Sequence, residues 1–180
     1  MKQLFLFTLL FISINSFAQK KTAPGIRTGL LCAEGSLAYG SGSTSRYFFQ
    51  GELEYFVHRR IGLNSIMYFN IGPKNIYPKS YNTLFSGPAF HFPMGKQMDV
   101  SIALQPGLSF VKDVGSVENP AVKEIIPNSS IAGGLTFYGS FFHVFFQLRA
   151  NAAYTNDTAE RQNLSDLRMS FGLGWNLNLK

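Results

Sequence analysis

The sequence is poor in charge. Only 14% of its 180 residues are Asp, Glu, Lys or Arg, against roughly 25% in an ordinary soluble domain. It holds a single cysteine, Cys32, so no internal disulfide is available and the fold has to stand without staples. Beyond its first residues the chain has no run of about 18 apolar residues, which excludes a helical membrane span. It shows no internal repeat, no domain linker and no helix-period segment of useful length. The formal charge of +6 includes Lys2, so 6 − 1 leaves +5 without the first 18 residues. A charge that modest gives no reason to expect nucleic acid as a partner.

What is present is aromatic and periodic. The chain has 18 Phe, 8 Tyr and 17 Gly. Low charge and many aromatics without a spanning helix fit a membrane β-barrel, whose apolar residues are spread over alternate positions. The beginning reads as a secretory signal. Lys2 is the positive end, Leu4 to Ile14 the apolar stretch, and Ser16-Phe17-Ala18 the small residues of a cleavage site. Such a segment is too short for an anchor, and Lys20 and Lys21 follow it. Residues 1–18 are therefore expected to be a cleaved signal peptide and residues 19–180 the barrel.

The last stretch carries the clearest pattern. Leu167, Met169, Phe171, Leu173, Trp175, Leu177 and Leu179 alternate with Arg168, Ser170, Gly172, Gly174, Asn176 and Asn178. A period of two means a strand, and one this long suits a tilted bilayer crossing. Residues 46–57, 61–72, 98–111 and 141–154 repeat the alternation. Residues 25–39, 81–92 and 128–138 are weaker but strand-like. The expected fold is an all-β, eight-stranded antiparallel up-and-down transmembrane β-barrel. Connections at 40–45, 73–80, 112–127 and 155–166 look long, and those at 58–60, 93–97 and 138–140 look tight. Tight turns on one side and long loops on the other are the pattern of a transmembrane barrel with periplasmic turns. An even strand number then places both termini in the periplasm. Periodicity alone also admits a lipocalin-like barrel with its apolar face inward. The signal peptide, strand length and loop asymmetry favour the outer membrane of a Gram-negative bacterium.

Gly25-Ile26-x-x-Gly29-Leu30, and Gly51-Glu52-Leu53-Glu54-Tyr55 followed by a tight turn and Ile61-Gly62-Leu63, resemble the PorT-like or OmpA-like families of small outer-membrane barrels. The resemblance spans most of the chain and implies the same fold and location. The chain departs from that pattern at Leu179-Lys180, where such barrels often finish on an aromatic, and Trp175 is the nearest outward one.

Chemistry is sparse. Some small outer-membrane barrels resemble lipid A acylases and deacylases, whose Ser–His–acid site has to lie at the outer leaflet. His58, His91 and His143 all fall beside the tight turns, at the opposite end. They sit on separate strands without metal-ligand spacing. No enzyme, no cofactor and no metal are expected. The inward-phased charges Glu34, Glu52, Arg149 and Arg168 lie on neighbouring strands once the sheet closes, with Glu54 and Gln147 nearby. Unpaired buried charge is costly, so these are expected to form an ion-pair plug in the outer half of the lumen. Arg59, Arg60, Lys96 and Lys180, with Lys20 and Lys21, form a basic periplasmic rim that Asp99 opposes. Outer-membrane lipids and lipopolysaccharide are the expected surroundings. A protein or surface ligand is expected to bind through loops 73–80, 112–127 and 155–166. The functional expectation is a structural, adhesive or partner-binding barrel, with a narrow gated ion pore or a lipid-modifying enzyme as the alternatives.

Overall fold

The computed structural model describes residues 25–72, 78–112, 123–154 and 163–178; the expected signal peptide lies outside them. Eight strands follow one another: β1 Leu30–Gly42, β2 Arg46–His58, β3 Ile61–Asn70, β4 Ser80–Met94, β5 Met98–Lys112, β6 Lys123–Tyr138, β7 Phe142–Ala152 and β8 Asp166–Asn178. Each pairs with the next in an antiparallel ladder. β8 returns to β1 from Leu30↔Asn178 to Gly42↔Asp166, closing the barrel and leaving no free edge along that seam.

The alternation read in the sequence becomes two faces. On β8, Phe171 is 65% exposed while Arg168 is 0%. Leu37, Leu53, Leu63, Phe92, Leu104, Ile131 and Phe146 continue the apolar exterior around the other strands. A belt of large exposed apolar side chains on every wall is far beyond the patches that soluble monomers tolerate. It is the exterior of a barrel whose solvent is lipid. An exposed aromatic pair stands at each end. Phe142 and Trp175 meet edge to face at 6.1 Å between ring centroids at the turn end, and Tyr39 and Tyr47 lie at 5.4 Å at the loop end. Those are the depths where amphipathic rings sit in a bilayer.

Inside, the lumen is filled by side chains in tiers, as eight strands require. Phe48, Ile66, Tyr68, Tyr81, Phe85, Val111 and Ile126 form an apolar layer toward the loop end. Leu30, Cys32, Phe56 and Tyr138 form another at the turn end. The chain ahead of β1 folds back over that second layer. Gly29 N donates to Phe56 O at 2.8 Å, and Ile26 packs against the cluster as a stopper. Residues 25–29 were expected to begin the first strand; they cap the barrel instead.

Two connections differ from expectation. β1 runs on to Gly42, so the first connection is only residues 43–45, as tight as those at the other end. The small residues at 40–42 allow this. A Cβ on Gly40 would press on the Phe48 ring, and one on Gly42 on the Ser165 backbone. β6 begins at Lys123, inside the expected loop 112–127. Among the described residues, its positions 123–128 pair only with β5, since pairing with β7 starts at Ser129↔Ala152. Pro127, which lacks an N–H, therefore sits where, among the described residues, one side of the strand has no ladder partner. The same logic places Pro88 and Pro106 in the gap between Phe85↔Gly107 and Ala89↔Ala103, where the β4–β5 ladder is interrupted.

Candidate functional site

The lumen charges are brought to one interior, but not as the expected plug. The register sets like beside like: Glu34 opposes Glu52 across β1–β2, and Arg149 opposes Arg168 across β7–β8. Glu34 faces Gly174 on β8, six residues below Arg168, or about 20 Å at the usual rise of a strand. The carboxylates thus form a tier toward the turns and the guanidiniums a tier toward the loops. The direct Glu–Arg pairing expected from the sequence is corrected: parity fixed the face, while the axial level kept the partners apart.

The acidic tier is answered by histidine. His91 on β4 bonds Glu54 Oε1 through Nε2 at 2.9 Å and Asp99 Oδ2 through Nδ1 at 2.6 Å. His143 on β7 bonds Glu34 Oε1 through Nε2 at 2.7 Å and Asn176 Oδ1 through Nδ1 at 2.7 Å. Both rings are buried, at 3% and 1% exposure. Gly174, opposite His143, and Gly62, against Glu54, make the room. A Cβ on Gly174 would collide with the His143 ring and Glu34, and one on Gly62 with the Glu54 carboxylate. Asp99, expected to oppose the basic rim, points inward instead because its strand parity matches that of Ala103 and Gln105.

The middle tier joins the two signs through amides. Arg149 Nη1 donates to Gln105 Oε1 at 2.8 Å, and Gln105 Nε2 donates to Asn64 Oδ1 at 3.1 Å. Asn64 Nδ2 then donates to Glu52 Oε1, whose other oxygen accepts from Gln50 Nε2 at 3.0 Å. Glu52 and Arg149 are therefore connected across four strands by two neutral side chains rather than by contact. Ser130 takes a second bond from Arg149 Nη1 at 2.6 Å, and the Phe85 ring lies 5.0 Å beneath the guanidinium. The cavity among these groups is about 20 Å³ and is lined by Glu34, Glu52, Glu54, His91 and Arg149. That is room for about one or two waters.

The upper tier belongs to Arg168. Its Nε meets both oxygens of Asp166 at 3.0 Å, and Nη1 donates to Thr83 Oγ1 at 2.5 Å. Its guanidinium carbon lies 4.3 Å from the Phe48 ring centroid and 4.5 Å from that of Tyr68. Stacking on aromatic faces supplies attraction that a lone carboxylate does not. Above it, at the mouth, Arg46 Nη1 donates to Pro78 O at 2.8 Å and Tyr81 OH to Leu164 O at 3.0 Å. A pocket of about 340 Å³ opens there, over Thr44, Arg46, Tyr81, Asn163, Ser165 and Asp166.

The remaining expected sites fall as follows. Arg59, Arg60 and Lys96 are exposed on the tight turns, with His58 beside them. Lys20, Lys21 and Lys180 lie outside the described residues, as do most of loops 73–80, 112–127 and 155–166. Among the described residues no group of three or more His, Cys, Asp or Glu side chains is placed to hold a metal ion. Sequence reasoning missed His91, His143, Asp99, Asn64, Gln105 and Asp166 as lumen partners. The signal was available for the histidines, which share parity with the polar face of their strands; only their axial level could not be read.

No protein-family model and no curated protein sequence matches the chain. Solved structures do. The N-terminal β-barrel domain of Pseudomonas aeruginosa OprF is similar with a TM-score of 0.64 at 12% identity, over 83% of this chain and 98% of that one. Pseudomonas aeruginosa OprG, an outer membrane protein, also reaches 0.64, at 9% identity over 86% of this chain and 98% of that one. The attachment invasion locus protein Ail of Yersinia pestis, solved in complex with the heparin analogue sucrose octasulfate, reaches 0.55 at 12% identity, over 84% and 100%. With its exterior apolar and its lumen polar, the chain has the fold of the small eight-stranded outer-membrane β-barrels.

Proposed function

We propose that the protein resides in the outer membrane with its turn end and both termini in the periplasm, and that it binds a partner or surface ligand at its loop end without catalysing a reaction. The observation that carries this reading is the asymmetry of the two ends. Ile26, Leu30, Phe56 and Tyr138 close the turn end, the tiers between are packed, and among the described residues a pocket of about 340 Å³ opens at the loop-end mouth. A wide nutrient pore does not suit an eight-stranded lumen filled in this way. A lipid hydrolase does not suit it either, because His91 and His143 are committed to carboxylates deep inside the barrel. Ail, which shares the fold, is the example of such a barrel crystallised with a polyanionic sugar.

The test combines location with loop function. Cell fractionation should recover the protein in the outer membrane, with boiled and unboiled samples migrating differently on a gel. Deleting residues 113–121 should leave that shift intact while removing surface attachment. Recovery in the soluble periplasm would overturn the location, and attachment unchanged by deletion of each long loop in turn would overturn the binding role.

A further inference from the structure

Three cations stand outside the lumen at the turn end, and we infer that they form a docking surface for the headgroup of an anionic phospholipid. The lipid belongs to the leaflet at that end. The inference thus rests on the orientation proposed above and goes beyond it by naming a site and a ligand class.

Placement comes first. Arg59 and Arg60 make the tight turn between β2 and β3, and Lys96 lies in the turn between β4 and β5; all three are exposed. His91 N donates to Arg60 O at 2.9 Å, so the first turn rests on the strand that leads to the second. The two turns stand two strand spacings apart, roughly 10 Å, a gap that long cationic side chains can bridge from both sides. The second turn is held from two directions. Tyr138 N donates to Gln97 O at 2.6 Å, and a Cβ on Gly25 would press on the Lys96 carbonyl. A preformed surface spends less of its interaction energy on ordering.

Charge comes next. Among the described residues, none of the three cations joins an ion pair. The acids of the same two hairpins, Glu54 and Asp99, are buried in the lumen, where both engage His91. Arg27 is at this end too but is already engaged. The segments attached at this end, 19–24 and 179–180, add Lys20, Lys21 and Lys180 and contain no Asp or Glu. Nothing in their sequence offsets the three cations. The remaining turn, Gly139-Ser140-Phe141, is uncharged, and Phe142 and Trp175 stand beside it. Charge that served only to wet the rim would have no reason to collect over β2–β5.

The apolar wall sets the other half of the ligand. Val57, Phe92 and Met94 are exposed on the exterior two to four residues from the cations. Two residues of strand span about 7 Å. That matches the headgroup layer, which takes the bilayer from about 30 Å of hydrocarbon to about 40–45 Å in all. A molecule that meets both features carries a phosphate at one end and acyl chains at the other. Guanidinium and ammonium groups suit the phosphate. A soluble polyanion would use the cations and leave the wall idle.

Native mass spectrometry of the refolded protein in a neutral detergent, offered phosphatidylglycerol and phosphatidylcholine in equal amounts, is the test. Phosphatidylglycerol should be retained over phosphatidylcholine by about tenfold or more. Arg59→Gln, Arg60→Gln and Lys96→Gln should each weaken its retention about fivefold, and all three together on the order of a hundredfold. Lys112→Gln removes an exposed cation at the far end of β5 and should leave retention unchanged. A boiled–unboiled gel shift on each sample confirms the barrel, so loss of the site is separated from loss of the fold. Equal retention of the two lipids, or equal loss in Lys112→Gln and the triple variant, would overturn the inference. Binding to isolated peptidoglycan that the triple variant loses, with phosphatidylglycerol retention unchanged, would overturn it in favour of the cell wall. Orientation is read separately, by a membrane-impermeant maleimide on Lys96→Cys with Cys32 replaced by Ser. Labelling of intact cells would overturn the periplasmic placement while leaving the lipid selectivity of the purified barrel standing.

Discussion

At the scale of single residues, the lumen is a packing problem with polar pieces. Gly174 and Gly62 are vacancies shaped for His143 and Glu54. Gly174→Ala should therefore lower stability by about 1–3 kcal/mol, the usual effect of overpacking. Gly51 faces outward with nothing within 4 Å of its added Cβ, so Gly51→Ala should change stability by less than about 0.5 kcal/mol. Urea unfolding in lipid vesicles compares the two directly, and equal effects would contradict the packing described. His91 gives a sharper case. Removing its ring in His91→Leu leaves the Glu54 and Asp99 carboxyls buried without their shared partner. The expected loss is about 3–5 kcal/mol. Changing Glu54 and Asp99 to Leu alongside should recover much of it, since an apolar set of similar volume is often tolerated. The parity of Glu34, Glu52, Glu54, Arg149 and Arg168 was legible in the sequence, and so was the face they occupy. Which partner each one meets was not, because that depends on the axial stagger of strands far apart in the chain. Glu34 and Arg168 differ in level by six residues on β8, and no period-two pattern records that offset.

At the scale of elements, strands were readable where alternation was strict and blurred where glycine or proline interrupted it. β8 was plain from Leu167 onward because each outward position is a large apolar residue. β1 and β6 were misplaced at their ends. Gly40 and Gly42 read as loop, yet they are the residues that let β1 continue beside Phe48 and the chain at Ser165. Pro127 read as a loop boundary, yet it stands in β6 where, among the described residues, only β5 is bonded. In each case tertiary pairing overrode local propensity. The outward face of β8 carries its own prediction. Leu173→Arg, paired with Val144 and Gly35 midway along the wall, should cost about 2–4 kcal/mol in a bilayer. Leu167→Arg, at the loop end of the same strand, should cost about 0–1 kcal/mol. Equal costs at both depths would contradict a membrane crossing.

At the scale of the whole molecule, the turn end of the barrel is closed by an apolar cluster, and the lumen charges change character along the axis. Glu34, Glu52, Glu54 and Asp99 lie toward the turns, the guanidiniums with Asp166 toward the loops, and a small polar cavity of about 20 Å³ lies between. Apolar layers cross the lumen above and below. Ion flow would have to pass both layers, so planar-bilayer recordings of the refolded protein should show no discrete openings; steady single-channel steps would favour the pore alternative. Odd-numbered residues of β8 face outward and even-numbered ones fill the lumen. Nitroxide labels placed one at a time from position 167 to 176, with Cys32 replaced by Ser and the protein in bilayers, test it most directly. Oxygen accessibility should alternate strictly, high at 167, 169, 171, 173 and 175 and low between. High accessibility to a water-soluble relaxation agent at those odd positions, or no alternation at all, would contradict it.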